Sequence, residues 1–163
     1  MSSYGNLGTW TVGSTVTNQT PVPVSVTPSS GTGTSQTFST VVSDANGYTD
    51  INTVYFLIDK SVNGVSACFI LYSRSSGTFR LASDTGASWS AGITPGVSGS
   101  ASNSQCTLSG TGSAVSGSGN NLTLQLALSF TSTFTGTRNV YVAAIDQSSA
   151  MSSYGNLGTW TVP

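Results

Sequence analysis

Apolar residues along this chain recur at every second position, in short runs. In NLTLQLALSF (121–130), Leu122, Leu124, Leu126 and Leu128 alternate with polar or small residues. A period of two is that of a strand with one buried face. VPVSVTP (22–28) places Val22, Val24 and Val26 on one side, and QTFSTVVS (36–43) follows as a second strand. NTVYFLID (52–59) is a nearly unbroken apolar run, suited to the centre of a sheet. Further strands are predicted at 66–73 (SACFILYS), 78–83 (TFRLAS), 104–109 (SQCTLS), 138–145 (RNVYVAAI) and 157–162, with a short one around Ala114 and Val115. Turns fall at 28–34 (PSSGTGT), at Lys60 to Gly64 with its Asn63-Gly64 pair, at 75–77 and at 110–120. Residues 84–102 read as irregular, with Trp89 their one large apolar anchor. No stretch has a helical apolar face, and the β-branched and glycine content opposes one. Short strands with turn signals every ~8–12 residues predict a β-sandwich.

One stretch occurs twice. Residues 1–12 and 151–162 both read MSSYGNLGTWTV. In the second copy Trp160, Thr161 and Val162 alternate as a half-buried strand does, and Pro163 ends it. Residues 157–162 are thus expected to be the last strand of a domain spanning 22–163. Residues 1–12 are then the last strand of a preceding repeat, joined by a polar linker, 13–21, that Pro21 and Pro23 stiffen. Leu7, Trp10 and Val12 in the first copy, with Leu157, Trp160 and Val162 in the second, form a candidate assembly strand. A spare copy of a terminal strand can add to a neighbouring chain's sandwich, and repeated head to tail this builds a filament.

Composition narrows the partners. Charged residues are 6% of the chain, the net charge is −1, and there is no histidine. The bases are Lys60, Arg74, Arg80 and Arg138, too few to neutralise a phosphate backbone, so nucleic acid is not an expected partner. No apolar run is long enough to cross a bilayer, and residues 1–12 lack the charged start and apolar core of a signal peptide. Cys68 and Cys106 each sit in a strand-like run and are expected to pair in an oxidising compartment.

The ordered motifs SDANGYTDI (43–51), CFILYS (68–73), Gln105-Cys106, SGSGNNLTL (116–124), NVYVAAID (139–146) and GTWTVP (158–163) resemble those of immunoglobulin-like, fibronectin-type-III-like tandem repeats of large secreted bacterial proteins. The resemblance covers about 22–163. It implies an immunoglobulin-like antiparallel sandwich, an extracellular or cell-surface bacterial location, and a role in spacing and adhesion. Neighbouring repeats or copies of the same chain are the implied partners.

Three constellations carry candidate chemistry. Asp44-Ala45-Asn46-Gly47-Tyr48-Thr49-Asp50 sets oxygen side chains at relative positions 1, 3 and 7 around a glycine turn, a spacing that lets one loop wrap Ca²⁺, with the Tyr48 carbonyl as a further ligand. In an immunoglobulin-like sandwich the loop after the sixth strand lies beside this one, so Asp146 would join it. The same residues also suit an Asx-turn. Calcium is the only cofactor this pattern suggests. Asp84-Thr85-Gly86-Ala87-Ser88 resembles the signature of aspartic proteases, which need two such carboxylates; a dimer would have to supply the second. With no histidine, a Ser-His or Cys-His pair is excluded. Trp89 on its loop is a candidate sugar-stacking surface, which makes a carbohydrate-binding, adhesin-like module the alternative to a non-catalytic structural one.

Overall fold

The computed structural model describes Met1, Gly8, Thr9 and residues 16–163. Leu7, Trp10 and Val12 of the first repeated copy lie outside the described residues. Those described form eleven strands and no helix. They are β1 (Val22–Thr27), β2 (Ser30–Thr32), β3 (Ser35–Ser43), β4 (Ile51–Asp59), β5 (Cys68–Ser73), β6 (Thr78–Leu81), β7 (Ser100–Ser102), β8 (Cys106–Ser118), β9 (Asn121–Phe130), β10 (Gly136–Asp146) and β11 (Gly155–Val162).

Two sheets pack face to face. One has the order β1-β3-β9-β8-β7, the other β2-β11-β10-β4-β5-β6. Within each sheet the strands pair antiparallel except β2, which runs parallel to β11. Leaving out β2, β5, β6 and β7, the order β1-β3-β9-β8 in one sheet and β11-β10-β4 in the other is the immunoglobulin arrangement.

The period-two pattern accounts for the core. Leu122, Leu124, Leu126 and Leu128 of β9 all face inward and are buried. They meet Val54, Phe56 and Ile58 of β4 and Val140, Val142 and Ala144 of β10 in one apolar cluster. Phe38 of β3 reaches across the gap, its ring 5.6 Å from Phe56 and 5.3 Å from Trp160 of β11. The Trp160 indole is 4% exposed and donates its N–H to the Gly33 carbonyl. Burying a side chain of that size contributes about 4–6 kcal/mol before entropy is counted.

The structure departs from the sequence reading where partners, not local pattern, decide. Residues 28–34 are not only a turn: Ser30–Thr32 form β2 on the free edge of β11. Gly31 is needed there because a Cβ would enter the Trp160 ring. Residues 84–102 contain β7, and 110–120 continue β8 through an irregularity between Ser109 and Ala114. The buried Ser113 hydroxyl stitches that irregularity, donating to the Ser109 carbonyl and accepting from the Ala127 N–H. In β1 only Val26 is buried. The register shifts between Pro23 and Ser25, and Val22 and Val24 point to solvent.

Cys68 and Cys106, each the first residue of its strand, are joined by a disulfide that links β5 in one sheet to β8 in the other. It closes 38 residues of sequence separation. Reduction, or a double Cys68→Ser, Cys106→Ser change, is expected to lower unfolding free energy by ~3–4 kcal/mol, read from urea midpoints with and without reductant. Gly31→Ala is expected to cost ~1–3 kcal/mol by forcing the Trp160 indole out of place, and the same titration followed by tryptophan fluorescence measures it.

Candidate functional site

The loops after β3 and after β10 meet at one end of the sandwich. The β3–β4 loop is a tight unit. Asp44 Oδ1 accepts the Asn46 N–H at 2.8 Å, the Gly47 N–H donates to the Asp44 carbonyl, and the Asp50 N–H donates to the Gly47 carbonyl. This is the Asx-turn the sequence allowed, and Gly47 adopts a φ of 105° that favours glycine. The loop after β10 is built the same way: Asp146 Oδ1 accepts the Ala150 N–H, and its carbonyl accepts the Ser149 N–H. Gln147 ties the two loops together, its backbone N–H on the Asp50 carbonyl and its side chain on the Thr49 carbonyl.

These constraints bring Asp44, Asp50 and Asp146 together. One carboxylate oxygen from each lies within 4.8 Å of the others. Asp44 and Asp146 are each 1% exposed, and Asp44 Oδ2 is buried without a hydrogen-bond partner. Among the described residues none of the three is in an ion pair; the one salt bridge, Arg138 with Asp59, lies at the opposite end. Burial, reinforced by the negative charges of Asp44 and Asp146, pushes the Asp50 carboxyl above its usual range.

Asn46 and Tyr48 serve other contacts. Asn46 Oδ1 accepts the Gln19 N–H at 2.7 Å, and its Nδ2 donates to the Thr17 carbonyl at 3.3 Å. The Tyr48 carbonyl accepts a hydrogen bond from Arg74, whose guanidinium also stacks 5.2 Å from the Tyr48 ring centre. That ring rests on Gly117 of β8, where no side chain would fit. A third contact comes from the predicted linker. Asn18 Nδ2 donates to Asp146 Oδ2 at 2.8 Å, and Pro21 is buried. Residues 17–19 thus lie across both loops, which nothing in their polar, aperiodic sequence signals.

Trp89 sits elsewhere, on the outer face of the six-stranded sheet. Its ring centre is 5.1 Å from Phe69 and 6.4 Å from Tyr55, and Tyr154 lies 6.4 Å beyond Tyr55. All four are half-buried, and Leu57, two residues beyond Tyr55 and paired with Phe69, is 1% exposed. Burial, then the neighbouring Tyr55, pushes the Tyr154 phenol up to about 12. The rings tilt by 32–57° to one another, so they form a stepped cluster and not a flat shelf. Gly64 packs against the Phe69 ring, which brings the β4–β5 loop over this cluster.

Asp84, the residue of the protease-like signature, is a staple. Its Oδ1 accepts the Ser104 N–H at 2.8 Å and its Oδ2 accepts the Ser104 hydroxyl at 2.6 Å. Gly86 follows in a turn, with φ of 69°. The side-chain and then the backbone hydrogen bond from Ser104 hold the Asp84 carboxyl below its usual value.

Compared with protein-family models and with curated proteins, the chain has no match.

A carboxyl whose value is lowered on folding stabilises the fold above its unfolded value near 3.8 and loses that contribution as pH falls through the folded value. Asp84→Ala is therefore expected to lower the melting temperature at pH 7, with the difference from the parent chain shrinking below pH 3.8. Thermal unfolding of both chains across that range checks it.

Proposed function

We propose that this chain is an extracellular, non-catalytic structural module that works in a head-to-tail array. One geometric observation carries the reading: the chain enters and leaves the sandwich at opposite ends. Val22, the first residue of β1, pairs with Ser43 beside the β3–β4 loop. Val162, the last of β11, pairs with Gly136 at the far end of β10. The span between them is about 25 Å, the length of an eight-residue strand. Modules threaded in this way form a string and do not fold back on each other.

The repeated stretch supports the same reading. In its second copy MSSYGNLGTWTV contributes β11, and the strand is stable because Trp160 is roofed by Gly31 and Gly33 and packed on Phe38. An identical stretch lies 150 residues earlier, a spacing that suits a tandem array of one module. A cross-sheet disulfide suits an oxidising exterior and resists unfolding of a loaded string. No helix among the described residues is long and apolar enough to cross a membrane. The stepped aromatic cluster around Trp89 lacks the flat shelf that a sugar face prefers, which favours the structural reading over the carbohydrate-binding one.

The test is a chain extended by one more period, residues 1–162 followed by residues 13–163. The array reading expects a monomer whose maximum dimension by small-angle X-ray scattering is about twice that of the single chain, as two end-to-end sandwiches require. Its melting temperature should equal or exceed that of the single chain. A compact particle of single-chain length, or a second period that does not fold, rejects the reading.

A further inference from the structure

We propose that Asp44, Asp50 and Asp146 form a calcium site that clasps residues 17–19 onto the end of the sandwich. The proposal stands on the single chain and does not depend on the array.

Three carboxylates with one oxygen each inside a 4.8 Å triangle repel one another. Two of the three are 1% exposed, so water screens them poorly. A buried charge without compensation costs several kcal/mol unless a counter-charge meets it. Among the described residues no Lys or Arg pairs with them. Asp44 makes the point most sharply. One of its oxygens is spent on the Asn46 N–H, while Oδ2 is buried with no hydrogen-bond partner. Only a cation or a hydrogen-bond donor satisfies that atom, and among the described residues no donor reaches it.

The donor set is all oxygen, which selects a hard cation over zinc or copper. The three oxygens come from two loops held together by Gln147, so the spacing is set by backbone and not by flexible stems. Calcium takes six to eight oxygens in a flexible geometry, whereas magnesium demands a small octahedron and keeps its water. Asn18 meets Asp146 through its amide, and a half-turn of that amide offers oxygen in place of nitrogen. Asn46 already holds Thr17 and Gln19. A cation in the cluster thereby tightens the segment that leads into β1.

The experiment is thermal unfolding of the full chain in excess calcium, in chelator and in magnesium, together with amide hydrogen exchange of residues 16–21. Calcium is expected to raise the melting temperature by ~5–10 °C over chelator and to slow exchange at residues 17–19. Magnesium should give a smaller shift. Asp50 is only half-buried, so Asp50→Asn is expected to fold. In chelator it should melt above the parent chain, because a like charge is gone, and calcium should no longer shift it. Asn18→Ala, outside every strand, should keep the fold and lose part of the calcium shift. Equal melting temperatures in calcium and chelator, or a calcium shift that survives Asp50→Asn, overturn the site. A magnesium shift as large as that of calcium overturns the choice of ion. Unchanged exchange at residues 17–19 overturns the clasp.

Discussion

The contact of Phe38 with Phe56 and Trp160 is what the sandwich depends on. Phe38 belongs to the β1-β3-β9-β8-β7 sheet and the other two rings to its partner sheet. Two amphipathic sheets are stable only when each covers the other's apolar face, and these rings span the gap between them. Trp160 also orders what lies beside it. Its indole fills the space under Gly31 and Gly33, so β2 lies flat on it and seals part of the β11 edge with three pairings. An open edge invites another strand, and a short parallel cover limits that hazard.

The two ends of the molecule are closed by different means. At the end where β4 finishes, the Cys68–Cys106 bond joins the sheets covalently. Arg138 stacks 4.4 Å from the centre of the Phe134 ring and faces Asp59 at 4.0 Å there. At the other end there is no covalent tie. The loops are held by Asx-type turns, by Gln147 and by the pre-β1 segment, and they enclose three acidic groups. The disulfide constrains the unfolded chain whatever the solution contains, whereas the other end gathers like charges whose repulsion depends on protonation.

The outer face of the six-stranded sheet holds a second, smaller apolar layer. Tyr55, Phe69, Trp89 and Tyr154 form it, and the β4–β5 loop folds over them through Gly64. Such satellite clusters under loops anchor long connections that would otherwise move freely. The Asp84–Ser104 pair works to the same end, fastening the turn after β6 to the segment before β8. Both features explain how the stretch 84–99 holds its place with little regular pairing of its own.

The main strands were legible in the sequence because burial of one face leaves a local period-two mark, as in Leu122 to Leu128 and in the apolar run of β4. The pairing of the cysteines was legible because the chain has only two, and the loop position of Asp44 and Asp50 because both lie a few residues from a glycine turn. Tertiary structure alone decided the rest. Ser30–Thr32 and Ser100–Ser102 are polar or small and carry no pattern; they became strands because an unpaired edge lay beside them. Gly31 and Gly117 read as turn residues but are required by the rings of Trp160 and Tyr48. Asp146 reaches Asp44 across 102 residues because β10 lies next to β4, which was foreseen only through the topology the resemblance implied; Asn18 reaches Asp146 because β1 begins at that end, which nothing in the sequence foretold. Local pattern records which face a residue buries. It does not record which distant surface covers that face, since that depends on how the sheets stack.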